Sequence, residues 1–189
     1  MENIGFTLAK QELIHSISVN YKREAEKCYK AKAYLSGCIL IGAAMEGLLL
    51  VTVNCFDFLI HDVKSAPKVK GKIKKLESWK LHELIKVAKE LHWFSSGLSP
   101  DEQWNGAKAQ IGDYIEVLRQ IRNLVHPARY ANDMGKKKVT KKYLESCFNI
   151  LDAAVDQINA LLKLSVKEMK KEQKKRSAQP AAAADLAKA

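Results

Sequence analysis

The chain has 189 residues, of which 47% are hydrophobic, with only nine glycines and four prolines. That supplies one sizeable core plus extensions and leaves too few turn-formers for a β-sandwich or barrel. The formal net charge is +11, which attracts polyphosphate backbones or anionic lipid through long-range fields, unless the lysines serve only solubility.

In chain order, the first helix is expected over about Leu8 to Lys30. Leu13, Ile14, Ile17, Tyr21, Ala25 and Cys28 recur there at helical spacing. A short break near Lys30 to Lys32 precedes a second helix over roughly Ala33 to His61. Its stretch from Tyr34 to Val53 carries a single charge, Glu46, and is long enough to cross a bilayer. Glu46 lies near its centre, however, among Ser36, Gly37, Gly42 and Gly47, and a lone spanning helix would leave the other amphipathic helices without partners. We read it as the central helix of a soluble bundle, apolar all round because it is covered all round. The small residues let neighbours approach closely, and no membrane is called for.

The run from Lys68 to Lys75, with Pro67 and Gly71, reads as a basic loop without regular structure. A shorter third helix is expected after Ser78 as N-cap, with Leu81, Leu84, Ile85, Ala88 and Leu91 on its inner face. The fourth carries a capping-box signature, Ser99-Pro100-Asp101-Glu102. Ile111, Tyr114, Ile115, Leu118, Ile121 and Val125 follow on one side, and Pro127 ends the helix at His126. The last helix starts near Thr140, its seam running through Leu144, Phe148, Leu151, Val155, Ile158 and Leu162. From Lys163 onward eight lysines and arginines oppose three acids. Helix is expected to about Arg176, then a disordered alanine-rich tail. The expected fold is all-α, an antiparallel up-and-down bundle of four to five helices over residues 1–164, with a basic, then alanine-rich tail over 165–189.

Cys28, Cys38, Cys55 and Cys147 lie far apart without the spacing of a zinc site or disulfide framework. No metal, cofactor or phosphate-binding glycine loop is called for. His61, Asp62, His82 and His92 lack the spacing of a helical metal site. Trp79, Trp93, Phe94 and Trp104 have residue types that stack nucleobases, but aromatics at helix ends more often pack, which is the reading taken. The opening Met-Glu-Asn-Ile-Gly lacks the pattern of a signal peptide, and a cytoplasmic location is expected.

The densest chemistry lies at the end of the fourth helix. On a straight helix Arg119, Arg122, Asn123 and His126 share a strip about 100° wide, beside the apolar face. Guanidiniums hold phosphate oxygens by forked hydrogen bonds. A helix C-terminus favours a cation at His126, histidine is the usual acid/base residue near neutrality, and Asn123 can orient either partner. RNA brings its own nucleophile, the 2′-hydroxyl, so cleavage would need no metal. The competing reading is packing. Arginine and histidine at a helix end pair with a carboxylate of a neighbouring helix, and Glu46, the lone acid of the buried helix, is the candidate.

The sequence resembles HEPN-domain proteins in three places. Leu35 to Leu50, with Ala43-Ala44-Met45-Glu46, resembles their central helix. Trp79-Lys80-Leu81-His82-Glu83-Leu84-Ile85 resembles the short helix that follows, and Arg122-Asn123-Leu124-Val125-His126-Pro127 resembles their Arg-Asn…His-Pro signature. The resemblance implies a four- or five-helix bundle and a homodimer with the motifs facing a shared cleft. It also implies RNA as partner. Many members are metal-independent endoribonucleases of defence or toxin–antitoxin systems; others are non-catalytic RNA-, nucleotide- or protein-binding modules. Active members space arginine and histidine farther apart than Arg122 and His126, a distance Arg119 does meet, so either arginine is the candidate.

Overall fold

In the computed structural model, residues 4–99 and 102–186 are described. They divide into two compact units, residues 1–155 and 156–189. Nearly all regular structure is helical: α1 (Leu8–Lys30), α2 (Tyr34–Cys55), α3 (Asp57–Ile60), α4 (Leu81–Glu90), α5 (Ile111–Arg122), α6 (Pro127–Asp133) and α7 (Lys141–Leu186). The fold is an all-α helical bundle, as composition and periodicity indicate.

Helices α1 and α2 form an antiparallel hairpin. Thr7 caps α1 by accepting from the Lys10 amide. At its other end Lys32 adopts a left-handed backbone (φ 59°), which lets Ala33 N donate to Cys28 O at 2.8 Å. This is the 6→1 bond of a Schellman close. Of the α1 stripe only Ala25 is wholly buried, whereas Leu13 remains 59% exposed. Contact with α2 runs through small residues instead, with Ser18 seated against Gly47.

The central position of α2 shows in its burial. Cys38, Ile41, Met45, Leu49 and Val53 have no exposed surface. By length and composition this helix is apolar enough to cross a membrane; here α1, α4 and α5 cover it. Its glycines mark the contacts. A Cβ on Gly37 would lie 2.5 Å from Leu144 Cδ2 of α7, and one on Gly42 would lie 2.6 Å from Arg122 Cβ of α5. The start of α7 buries Leu144, Cys147, Leu151 and Ala154, and the free Cys147 thiol shares a hydrogen bond with the free Cys38 thiol. That contact and burial raise the Cys147 pKa.

Four local expectations are corrected. Helix α2 ends at Cys55 rather than near His61, because Phe56 leaves helical geometry (φ −118°) to pack on Trp93 at 5.3 Å. The lysine run is a β-hairpin, β1 (Lys68–Val69) against β2 (Lys72–Ile73). Lys70 and Gly71 supply the two positive φ values, 51° and 78°, that a tight two-residue turn requires. Helix α4 starts two residues beyond Trp79, with Glu83 accepting from the Lys80 amide at 2.7 Å, while Ser78 donates to Lys75 O in a 3₁₀ turn. Finally, Ser99–Glu102 does not open α5. Glu102 does accept from the Ser99 amide at 3.3 Å, yet Asn105-Gly106, two poor helix formers, intervene, and Asn105 accepts from Ala107 N in a local turn. Helix α5 begins at Ile111.

The second unit is the remainder of α7, helical through Leu186, past the end expected near Arg176. Lysine, glutamate, glutamine and alanine dominate this stretch, and all are strong helix formers.

Candidate functional site

Helix α5 carries the site, and its two ends are built differently. At its start, Asp113 is the third helical residue, with a side chain only 5% exposed. Its carboxylate accepts from the amides of Gln110 (3.0 Å) and Gly97 (2.8 Å), from the Ser96 hydroxyl, and from Lys89 Nζ at 3.2 Å. Burial alone would raise its pKa, but these donors outweigh burial and hold it at about 2. One carboxylate therefore ties α4, the 96–97 loop and α5 together. The sequence reading passed over it, although Gln110-x-x-Asp113 has the spacing of a capping pair.

At the other end the α-helix stops at Arg122 and tightens into a 3₁₀ turn over Asn123–Val125. A 3₁₀ turn has three residues per turn, so the buried phase steps from Ile121 to Leu124, and Val125 swings out to 51% exposure. His126 is then extended (φ −81°, ψ 117°) and Pro127 occupies the first position of α6. The straight-helix strip thus ends at Arg122, and His126 precedes a helix N-terminus instead of closing α5. Sequence periodicity missed α6, a seven-residue helix without a buried residue.

The predicted residues separate as follows. Arg122 Nη2 donates to Glu46 Oε2 on α2 at 2.8 Å, and its aliphatic stem lies over Gly42. Arg119 donates through Nε to Glu116 Oε1 at 2.8 Å, and through Nη2 to the same oxygen. Asn123 is half-buried, its amide closing the last turn of α5 on Arg119 O. His126 is exposed, and among the described residues its imidazole has no hydrogen-bond or ionic partner. Glu46 and Arg122 therefore form one pair and Arg119 another. His126 stands apart at the surface.

Arg119 faces a cleft of ≈ 820 Å³ between α4, α5 and residues 96–99 and 102–104. His82, Lys86, Trp104 and Gln120 also line it. The aromatic residues divide accordingly. Trp79 and Trp93 are 4% exposed and Phe94 1%, whereas Trp104 is 52% exposed. Among the described residues no group of His, Cys, Asp or Glu is arranged to hold a metal.

Compared with protein families, curated proteins and solved structures, the chain matches none of them.

Proposed function

We propose that this chain is a HEPN-like, RNA-directed protein of the cytoplasm, acting as a homodimer and cleaving RNA without a metal in a defence or toxin–antitoxin type system. The observation that carries the proposal is the exposed imidazole of His126, which has no partner among the described residues. It stands on a backbone set by Pro127 and shortly follows Arg122, an arginine held by Glu46. Burial and hydrogen bonding account for Arg122, Glu46 and Asp113 as structural groups; nothing in the packing accounts for a histidine here. In the proposed reaction His126 takes the proton of a ribose 2′-hydroxyl while the O2′–P bond forms and the P–O5′ bond breaks. The proton then passes to the departing 5′-oxygen, leaving a 2′,3′-cyclic phosphate. Arg119 or Arg122 offers the guanidinium N–H groups not spent on Glu116 or Glu46 to the phosphate, and Asn123 orients.

A second reading draws on a different observation. Both arginines already meet carboxylates, the arrangement of a non-catalytic module that binds RNA, nucleotide or protein. Labelled RNAs incubated with the purified chain and a chelator decide between them. The nuclease reading expects cleavage by wild type and its loss in His126→Ala at unchanged thermal stability. Equal behaviour of the two proteins on several RNAs would sink it, and salt-dependent binding without cleavage would leave the module.

A further inference from the structure

We propose that the cleft between α4 and α5 binds a nucleotide, its base stacked on Trp104 and its phosphate held by Lys86 and Arg119. His126 is not among the residues that line the cleft, and Arg119 is the one residue the cleft shares with the candidates for the RNA-cleaving group. The cleft's volume of ≈ 820 Å³ lies in the range of small-molecule sites, about 300–1,000 Å³.

The walls are chemically sorted. Trp104 offers an indole face at 52% exposure, braced edge-on by Tyr114 at 5.2 Å between ring centroids. The other two tryptophans are committed elsewhere: Trp79 donates Nε1 to Lys74 O at 3.0 Å, and Trp93 packs on Phe56. An exposed, braced aromatic ring in a concave wall is a stacking platform for a flat ring.

The charges are sorted too. Three carboxylates line the cleft, and each has a cation: Asp113 has Lys89, Glu116 has Arg119, and Glu102 has Lys108 at 2.9 Å. Lys86, exposed on α4, has no partner among the described residues, and His82 stands one turn before it. Arg119 keeps the guanidinium N–H groups that Glu116 does not take. The unspent charge is therefore cationic. Ser96, Ser99 and Gln120 add short polar groups suited to a ribose or a base edge. Flat ring, anion and polar linker together describe a nucleotide. One wall of the cleft is held in place before any ligand arrives, since Asp113 ties Ser96 and Gly97 to α5.

The ligand is either a free mononucleotide or one unit of an RNA strand, and only the second source rests on the RNA-directed reading. Calorimetric titration of the full chain with AMP, adenosine, inorganic phosphate and a short oligoadenylate tests both. AMP is expected to bind at least tenfold more tightly than adenosine or phosphate alone. Trp104→Ala and Lys86→Glu, both at exposed positions and checked for unchanged melting temperature, are each expected to weaken AMP at least tenfold, the first through lost stacking and the second through lost charge. Oligoadenylate binding as tightly as AMP assigns the site to a strand; much weaker binding assigns it to a free nucleotide. No AMP binding at millimolar concentration, or equal binding by wild type and both variants, overturns the proposal. AMP binding by a chain that cleaves no RNA would uphold this site while the nuclease reading fails.

Discussion

The two ends of α5 differ in what their polar groups are doing. At the start, Asp113 is buried and receives donors from α4, the preceding loop and its own helix turn. At the end, Arg122 is anchored on α2, while beyond the 3₁₀ turn the exposed His126 imidazole has no partner among the described residues. The first arrangement is what a bundle needs, because a buried carboxylate is tolerable only when its lone pairs are filled. A polar motif is thus divided by its partners: Arg122 and Glu46 pair across α5 and α2, whereas the exposed His126 imidazole has no partner among the described residues.

The largest expected effect tests the first end. Asp113→Ala leaves buried amides and Lys89 without their acceptor and is expected to cost about 2–4 kcal/mol, read by urea unfolding. A loss below about 0.5 kcal/mol would mean that the start of α5 is held otherwise. Next comes the seam under Arg122. Gly42→Ala places a methyl group 2.6 Å from Arg122 Cβ. Because that atom is fixed to the α5 backbone, the helices must separate, at about 1–3 kcal/mol. Unchanged stability would show that α2 and α5 yield freely there.

The pH dependence has a definite sign. The folded-state pKa of Asp113, about 2, lies below its ordinary 3.8. The carboxylate therefore contributes stability that is full above pH 4 and disappears as pH falls through 2. The stability gap between wild type and Asp113→Asn should shrink by about 2 kcal/mol between pH 6 and pH 2. A constant gap would contradict the assignment. Smaller still is the Glu46–Arg122 pair, whose side chains are 23% and 32% exposed. A double-mutant cycle with Glu46→Gln and Arg122→Gln should give a coupling of about 0.5–1 kcal/mol after solvent screening.

Much of this bundle could be read from the chain, for identifiable reasons. The bounds of α1 follow from its periodicity, and the break after it falls near Lys30 to Lys32 although no glycine or proline marks it. Glu46 announced its need for a partner by being the only charge in an apolar helix, and the glycines of α2 announced close approach. Less legible were features decided by competition. The capping signature at Ser99–Glu102 forms locally, but Asn105-Gly106 stop any helix from following. Asp113 carries only the weak Gln110-x-x-Asp113 spacing as a signal, since its other donors, from Lys89, Ser96 and Gly97, lie outside α5. The 3₁₀ tightening after Arg122 shifted the phase by which His126 was placed, and so moved it from a helix end to a helix-to-helix junction. Trp104 was grouped with Trp79 and Trp93 by type, and only burial separates it.

The most direct measurement compares His126→Ala with Asp113→Ala in one experiment, recording melting temperature and chelator-resistant RNA cleavage per folded molecule. The account predicts a crossed result. His126→Ala keeps its melting temperature and loses cleavage, while Asp113→Ala melts earlier yet cleaves RNA for as long as it stays folded. RNA cleavage by His126→Ala at the wild-type rate, or a melting temperature lowered as far as that of Asp113→Ala, would contradict the division of α5 into a structural start and a chemical end.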